Sequence, residues 1–258
     1  MKFSVITITR NNLPGLKATF ESVVSQSCRD YEFTIVDGAS SDDTPDFLKQ
    51  HDKQIDFWVS EPDSGIYNAM NKGISHAHGE YLIFMNSGDV FHDKNVLADV
   101  WHELNGIPML FGQSIRFDGS IHKAVPNVQF KCFWGFSFPH QASFISADLF
   151  QKYGNYREDY RCASDMFFFF EMIFLHHVPY KVISRVISDV EPGGISAGTI
   201  GRRERRHYIL HHMPFLWKVY GVVLEIYSAV RNRFFPGFSI SGHLKRSTET
   251  GNLKLNSQ

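Results

Sequence analysis

"YLIFMNSGDVFH", Tyr81 to His92, is the stretch on which the fold turns. After Tyr81, four apolar residues run straight into Asn86, Ser87, Gly88 and Asp89, and the chain then becomes apolar again. Asn, Ser, Gly and Asp are common turn residues, so the segment reads as an ordinary turn after a buried strand. It reads equally as a strand end that delivers one carboxylate to a metal ion. The surrounding sequence has to weigh one against the other.

Upstream, strand-like and helix-like segments alternate. Phe3 to Ile8 is a β-branched run, and Leu16, Phe20, Val23 and Val24 then fall on one helical face. Tyr31 to Val36 predicts a second strand ending in Asp37-Gly38, and Ser40 to Pro45 supplies cap chemistry and a helix-starting proline. Phe57 to Val59 is a short third strand; Ile66, Met70, Gly73, Ile74 and Ala77 trace a helix that leads into the strand Tyr81 to Met85. Such alternation predicts an α/β fold, a mostly parallel, Rossmann-like sheet flanked by helices.

Downstream the rhythm loosens. A helix is expected around Asn95 to Leu104, then a hairpin about Asp118-Gly119, an aromatic segment from Phe130 to Phe138 and a strand around Gln141 to Ile145. A short helix from Ala147, a helix from Ser164 to His176 and a last strand from Lys181 to Val190 precede the Gly-rich "EPGGISAGT". The remainder, about Arg202 to Arg233, reads as a long amphipathic helix with Met213, Leu216, Trp217, Tyr220, Val223, Leu224 and Tyr227 on one face. The expected organisation is a catalytic domain over 1–196 and a basic helical C-terminal extension over 197–258.

Composition bounds the function. A chain of 258 residues can bury one large core. Its net charge of -1 hides a tail of about +7 after Gly201, set against a first two hundred residues near -8. That tail suits an anionic membrane surface, or packing against its own domain or a second copy of the chain in a homo-oligomer. Nothing in the charge pattern calls for a nucleic-acid partner. Three widely spaced cysteines, Cys28, Cys132 and Cys162, argue for reduced thiols and a cytoplasmic protein, peripheral at most to the membrane. "MKFSVITITR" reads as a first strand and not as a signal peptide.

Ligands of open α/β sheets bind at the carboxyl ends of the strands. Those ends carry Thr9, Arg10 and Asn11, then Asp37, then Glu61 and Asp63, then Asn86 and Asp89. Singly each can be a turn residue. Together they form an acidic rim, which would repel phosphates unless a divalent cation intervened, so the set suggests a metal-bound nucleotide diphosphate. "TRNNLPG" after the first strand has neither a Gly-x-Gly-x-x-Gly turn nor a Gly-Lys-Ser/Thr ending, which disfavours dinucleotide and P-loop enzymes.

"SVITITRNN", "TIVDGASSDDT", "SEPDSGIYNAMNKGISHAHGEYLIFMNSGD", "PHQASFI" and "CASDMFFF" together resemble glycosyltransferase family 2, in its bacterial polysaccharide-type subgroup, over roughly Met1 to Ser196. The resemblance implies a GT-A fold and an inverting transfer of sugar from a nucleotide sugar, with a UDP-linked donor expected, to a hydroxyl of a glycan or lipid-linked glycan. It implies that Thr9, Arg10, Asp37 and Asp63 contact the nucleotide or sugar, and that Asp89 binds Mg2+ or Mn2+ on the diphosphate. Asp165 would be the catalytic base, with His140 and Gln141 lining the acceptor side.

The chain departs from the family where many members place Asp-x-Asp-Asp, since Asn86-Ser87-Gly88-Asp89 keeps one acid of three. Gly88 would let backbone approach the phosphates, and Asn86 would bond a ribose or a metal-bound water. Beside the apolar Met166 and Phe167, Asp165 is expected to have a raised pKa from desolvation, offset by the helix dipole. Two rivals stay open: a sugar nucleotidyltransferase, and a non-catalytic glycan- or lipid-binding scaffold.

Overall fold

The computed structural model describes residues 1–124, 138–191 and 200–212, with the single positions 215, 219, 223 and 226 beyond them. The chain divides into two units, Met1–Arg205 and Arg206–Gln258.

In the first unit the alternation is realised as β1 (Phe3–Thr9), α1 (Leu13–Val24), β2 (Tyr31–Asp37), α2 (Thr44–Gln50), β3 (Phe57–Ser60), α3 (Ile66–Ser75) and β4 (Tyr81–Phe84). Then come β5 (Val90–Phe91), α4 (Val96–Leu104), β6 (Met109–Ile115), β7 (Ile121–Lys123), β8 (Ser143–Ser146), α5 (Ala147–Tyr153), α6 (Ser164–Phe170) and β9 (Tyr180–Asp189). A further helix, α7 (Ile200–His212), runs across the boundary between the units.

The strands join one sheet in the order β3-β2-β1-β4-β8-β6-β9-β5, with β7 also paired to β6. β1 to β4 are parallel, as right-handed crossovers through helices require. Beyond β4 the sheet is mixed: β8 lies antiparallel to β4 and β6, β5 antiparallel to β9, while β6 and β9 run parallel. The expected hairpin forms, with Ile115 opposite Ile121.

β1, β2 and β4 are buried almost throughout, with the polar Ser4, Thr7, Thr9, Glu32, Thr34 and Asp37 buried among the apolar residues of β1 and β2. Phe3, Val5, Phe33, Ile35, Tyr81 and Ile83 pack against Leu16, Phe20 and Val23 of α1. Pro14 sits in the first turn of α1, where its missing N–H costs nothing, and Asn12 caps it by accepting from Gly15 N at 3.1 Å.

Register places the rim. Thr9 pairs with Asp37, and Asp37 with Ser60, so three strand ends share one rung. Ladder bonds continue past β4, with Met85 N donating to Ile6 O and Ser87 N to Ile8 O, which brings the Asn86–Asp89 turn to the same edge.

Two expectations need correction. The helix predicted from Ser164 to His176 is α-helical to Phe170 only and continues as one π-helical turn, Glu171–Leu175. Phe167 to Phe170 are all buried, as are Met172 and Ile173 in the wider turn. The strand expected from Gln141 begins at Ser143, because His140–Ala142 forms a 3-10 turn. The aromatic segment up to Ser137, the exit "PGGISAGT" after Glu191 and most of the expected C-terminal helix face lie outside the described residues, as does Cys132.

Candidate active site

At the first three strand ends, polar groups are tied into backbone loops. Asp37 is fully buried: Ser40 N donates to its Oδ2 at 3.1 Å, Ser60 Oγ donates to the same oxygen at 2.5 Å, and Ser40 Oγ donates to Oδ1. Its carboxylate therefore orders the Gly38–Ser41 loop from beneath. Asn11, in left-handed backbone at φ 51°, joins that loop to the exit of β1: its Oδ1 accepts from Ser41 N at 2.8 Å and its N donates to Ser40 Oγ at 2.7 Å.

Asp63 lies over Gly38 so closely that a Cβ there would meet its Oδ2, with the Arg10 side chain alongside. A side chain at position 38 would push the Asp63 carboxylate aside. Arg10 is exposed, and the buried Thr9 hydroxyl has no hydrogen-bond partner among the described residues. Glu61 is engaged with Lys72 at 2.7 Å. Thr9, Arg10, Asp37 and Asp63 are accordingly brought together.

The fourth strand end is built differently. Thr19 of α1 pins the Asn86–Asp89 turn: its Oγ1 lies 2.7 Å from Asp89 O and accepts from Gly88 N at 3.0 Å. Gly88 has φ 102°, a left-handed conformation that glycine takes without strain. Asp89 is 6% exposed. Its Oδ1 accepts from Glu191 N at 3.2 Å and its carboxylate also bonds the Gln141 side chain. Burial raises the Asp89 pKa to about 6; the charge of His140 and these two hydrogen bonds pull it down, and the Glu191 charge pushes it further up.

Asp165 enters from α6 in the second half of the chain. Tyr67 of α3 donates its hydroxyl to Asp165 Oδ1 at 2.7 Å, and His140 Nδ1 lies 3.4 Å from Oδ2. Asn86 Nδ2 faces His140 Nε2 at 3.1 Å, so the imidazole lies between the turn and Asp165. A connected path thus runs from the turn at β4 through His140 to Asp165, and Gln141 of the same 3-10 turn reaches Asp89.

The expected raised pKa of Asp165 is not found. Burial does push its carboxyl up, but the hydrogen bond and charge of His140, with the Tyr67 hydroxyl, outweigh that and hold it below the usual carboxylate range. Conversely, burial lowers the His140 pKa, while Asp165 and Asp89 together raise it above the ordinary value.

Sequence reasoning placed His140 and Gln141 beside an acceptor; the structure puts them between Asp89 and Asp165. It missed Tyr67, Thr19, Asn12 and Glu191. Tyr67 falls inside the conspicuous block "EPDSGIYNAMNKG", yet nothing local signals that its hydroxyl meets a residue 98 positions away.

Among the described residues no three His, Cys, Asp or Glu side chains gather into a self-sufficient metal centre. The donors at the turn nevertheless suit a hard cation shared with phosphate oxygens: the desolvated Asp89 carboxylate, and the buried Asn86 Oδ1, which has no hydrogen-bond partner among the described residues.

A parallel rim of this kind, continued by a mixed second half that carries a half-buried acid linked to the turn after the fourth strand, defines the GT-A fold of nucleotide-sugar transferases. The chain belongs to glycosyl transferase family 2, whose pattern matches residues 4–204.

A similar protein is an uncharacterized glycosyltransferase of Mycobacterium tuberculosis, 38% identical over 173 residues, covering 64% of this chain and 66% of that protein. Another is a PGL/p-HBAD biosynthesis glycosyltransferase of the same species, 30% identical over 175 residues, covering 63% and 66%. The match therefore spans slightly less than two thirds of these relatives' own length.

Among solved structures, residues 1–349 of Staphylococcus aureus TarS in complex with UDP-GlcNAc superimpose with a TM-score of 0.65 at 19% identity, over 83% of this chain and 68% of that one. A mannosyltransferase from Pyrobaculum calidifontis in complex with GDP-Man and Mn2+ gives a TM-score of 0.65 at 16% identity, over 95% and 78%. At these identities the likeness is one of fold.

Proposed function

We propose that this chain transfers a sugar, with inversion, from a nucleotide diphosphate sugar to a hydroxyl of a glycan or lipid-linked glycan in cell-surface polysaccharide or glycolipid assembly. The observation that carries the proposal is the linked pair Asp89 and Asp165, a buried and a half-buried carboxylate on one path with pKa values driven in opposite directions. One acid is poised to take up a cation; the other stays ionised to take a proton.

In this reading the nucleotide lies along the first three strand ends, against Thr9, Arg10 and Asp63, with Asp37 acting through the loop it orders. A UDP-linked donor is the reading we carry. Mg2+ or Mn2+, held by Asp89 and the diphosphate with Asn86 close by, would neutralise charge on the leaving nucleotide. The acceptor hydroxyl attacks the anomeric carbon as the bond to the diphosphate oxygen breaks, and its proton passes to Asp165. His140 and Tyr67 hold that carboxylate in place.

The test is to incubate the chain with UDP- and GDP-sugars, with and without Mn2+, and to follow release of the nucleoside diphosphate. Cation-dependent release supports a transferase, while release of pyrophosphate from a sugar phosphate and nucleoside triphosphate would favour a nucleotidyltransferase. No turnover with any donor would leave the scaffold reading.

The C-terminal unit supports a second, separate part of the proposal, contact with an anionic membrane face. Phe215, Val219, Val223 and Ile226 recur at helical spacing and are 75%, 46%, 55% and 60% exposed. This stripe follows the four arginines of the stretch Arg202 to Arg206, which suits anionic headgroups. No helix among the described residues is long and apolar enough to cross a membrane. Full-length protein should cosediment with phosphatidylglycerol vesicles and not with phosphatidylcholine vesicles; equal behaviour, or a stable dimer that buries the stripe, would remove the membrane role.

A further inference from the structure

Glu191 follows β9 by two residues, and the antiparallel pairing of Val90 with Asp189 delivers it to the Asn86–Asp89 turn. A Cβ built on Gly88 would collide with the Glu191 carboxylate and would stand 2.9 Å from its Cβ. The Glu191 side chain thus fills the space that a side chain at position 88 would occupy. It is held there from two sides: Asn12 Nδ2 donates to its Oε2 at 3.2 Å, and its own N donates to Asp89 Oδ1 at 3.2 Å. Asn12 Nδ2 also reaches Ser87 O at 3.4 Å, so one amide ties the acid to the turn.

Left to themselves, two carboxylates at one turn repel, and Asp89 is already desolvated. A surface acid that merely needed a hydrogen bond could have pointed to solvent. Next to them the buried Asn86 Oδ1 still has no hydrogen-bond partner among the described residues. A cradle of oxygens with excess negative charge and one unfilled acceptor makes energetic sense when a cation enters it.

We propose that Glu191 supplies, from the far end of the domain, the carboxylate that the Asn86–Asp89 turn lacks, so that Asp89 and Glu191 together hold the divalent cation of the nucleotide diphosphate. This rests on the cation-dependent donor site described above. It makes Glu191 a ligand-binding residue encoded about a hundred positions away from the turn it completes.

The experiment titrates Mn2+ into the full-length chain at saturating UDP, and separately GDP. Bound Mn2+ is read from the loss of the free-ion electron paramagnetic resonance signal, and the melting temperature provides a second measure. In the wild type, Mn2+ should bind weakly alone and much more tightly with nucleotide. Glu191→Gln should keep the apo melting temperature and weaken Mn2+ binding with nucleotide by about tenfold or more. Glu191→Asp, which retains the charge one methylene short, should fall between the two, and serves as the test should the Gln variant fail to fold.

Wild-type Mn2+ affinity in Glu191→Gln, with loss in Asp89→Asn, would overturn the role of Glu191 and leave the donor site intact. Absence of any Mn2+-linked nucleotide binding in the wild type would overturn the donor site, and this inference with it.

Discussion

Asp89 and Asp165 are joined through one 3-10 turn, and their pKa values are driven in opposite directions. Around Asp89 the hydrogen-bond partners are an amide N–H and a side-chain amide, with a second carboxylate alongside; the His140 charge opposes burial there, but desolvation wins and the pKa rises to about 6. Around Asp165, whose side chain is 18% exposed, an imidazole and a phenol bond the carboxylate directly and outweigh its desolvation. The charge of each acid is set by its direct partners together with its burial. His140 bonds one acid and reaches the other only through its charge.

The comparison breaks most sharply at Asp165. Asp165→Ala should lower the rate of sugar transfer by about 10²–10⁴-fold, the range expected for a lost general base. Mn2+-linked nucleotide binding should stay within about twofold, since the two regions bind different parts of the reaction. Wild-type turnover in this variant would remove Asp165 from the chemistry.

Asp89→Asn should cost about a hundredfold in rate, through several kcal/mol of lost charge stabilisation, yet make the cation-free fold stronger. The sign follows from linkage. The Asp89 carboxyl titrates at about 6 when folded against 3.8 in its reference state, so the folded chain binds the extra proton between those values. Stability is therefore lost as pH rises through about 6, by the order of 2–3 kcal/mol at neutral pH. Asn carries no charge to desolvate, so the variant should outlast the wild type in denaturant at pH 7 and match it near pH 4. Equal or lower stability at pH 7 would mean that Asp89 is not the strained acid its surroundings indicate. Mn2+-linked nucleotide binding by the wild type should weaken as pH falls through about 6, when Asp89 takes a proton.

Tyr67→Phe tests the other side more gently. It removes one donor to the Asp165 carboxylate, worth about 1.5–3 kcal/mol for a charged acceptor, and should lower kcat by about tenfold. Because that donor helps hold the Asp165 pKa down, its loss should move the acid limb of the pH–rate profile upward. A lower rate with an unmoved limb would mean that Tyr67 acts on packing, through its contact with Tyr156, and not on charge.

The same contrast explains what could be read from the chain in advance. Thr9, Asp37, Asp63 and Asp89 were legible because strand ends in a parallel sheet are found from hydrophobic periodicity, and each such end lies next to its strand in sequence. The GT-A fold followed from the same alternation together with the family blocks. Tyr67, Glu191 and the bridging role of His140 were not legible, because each depends on contacts across 25 to 103 positions that only tertiary packing creates. The raised pKa expected for Asp165 failed for that reason: its apolar neighbours are adjacent in sequence, and its polar partners are not. The π-helical turn after Phe170 was invisible too, since four consecutive phenylalanines carry no period from which a change of pitch could be read.

The smallest expected effect sits at the donor rim. Asp37 resembles Asp165 in being hydrogen-bonded at both oxygens, but its partners are serine hydroxyls and a backbone amide, which are neutral. Ser60→Ala should therefore cost only about 1–2 kcal/mol of stability, with Ser40 still bonded to the carboxylate. Its kinetic trace should be confined to KM for the nucleotide sugar, by about threefold, because in the proposed function the loop it loosens would touch donor in ground and transition states alike. If kcat fell with KM unchanged, Asp37 would belong with the charge-coupled region around Asp165. The division between a rim that binds and a buried path that reacts would then have to be redrawn.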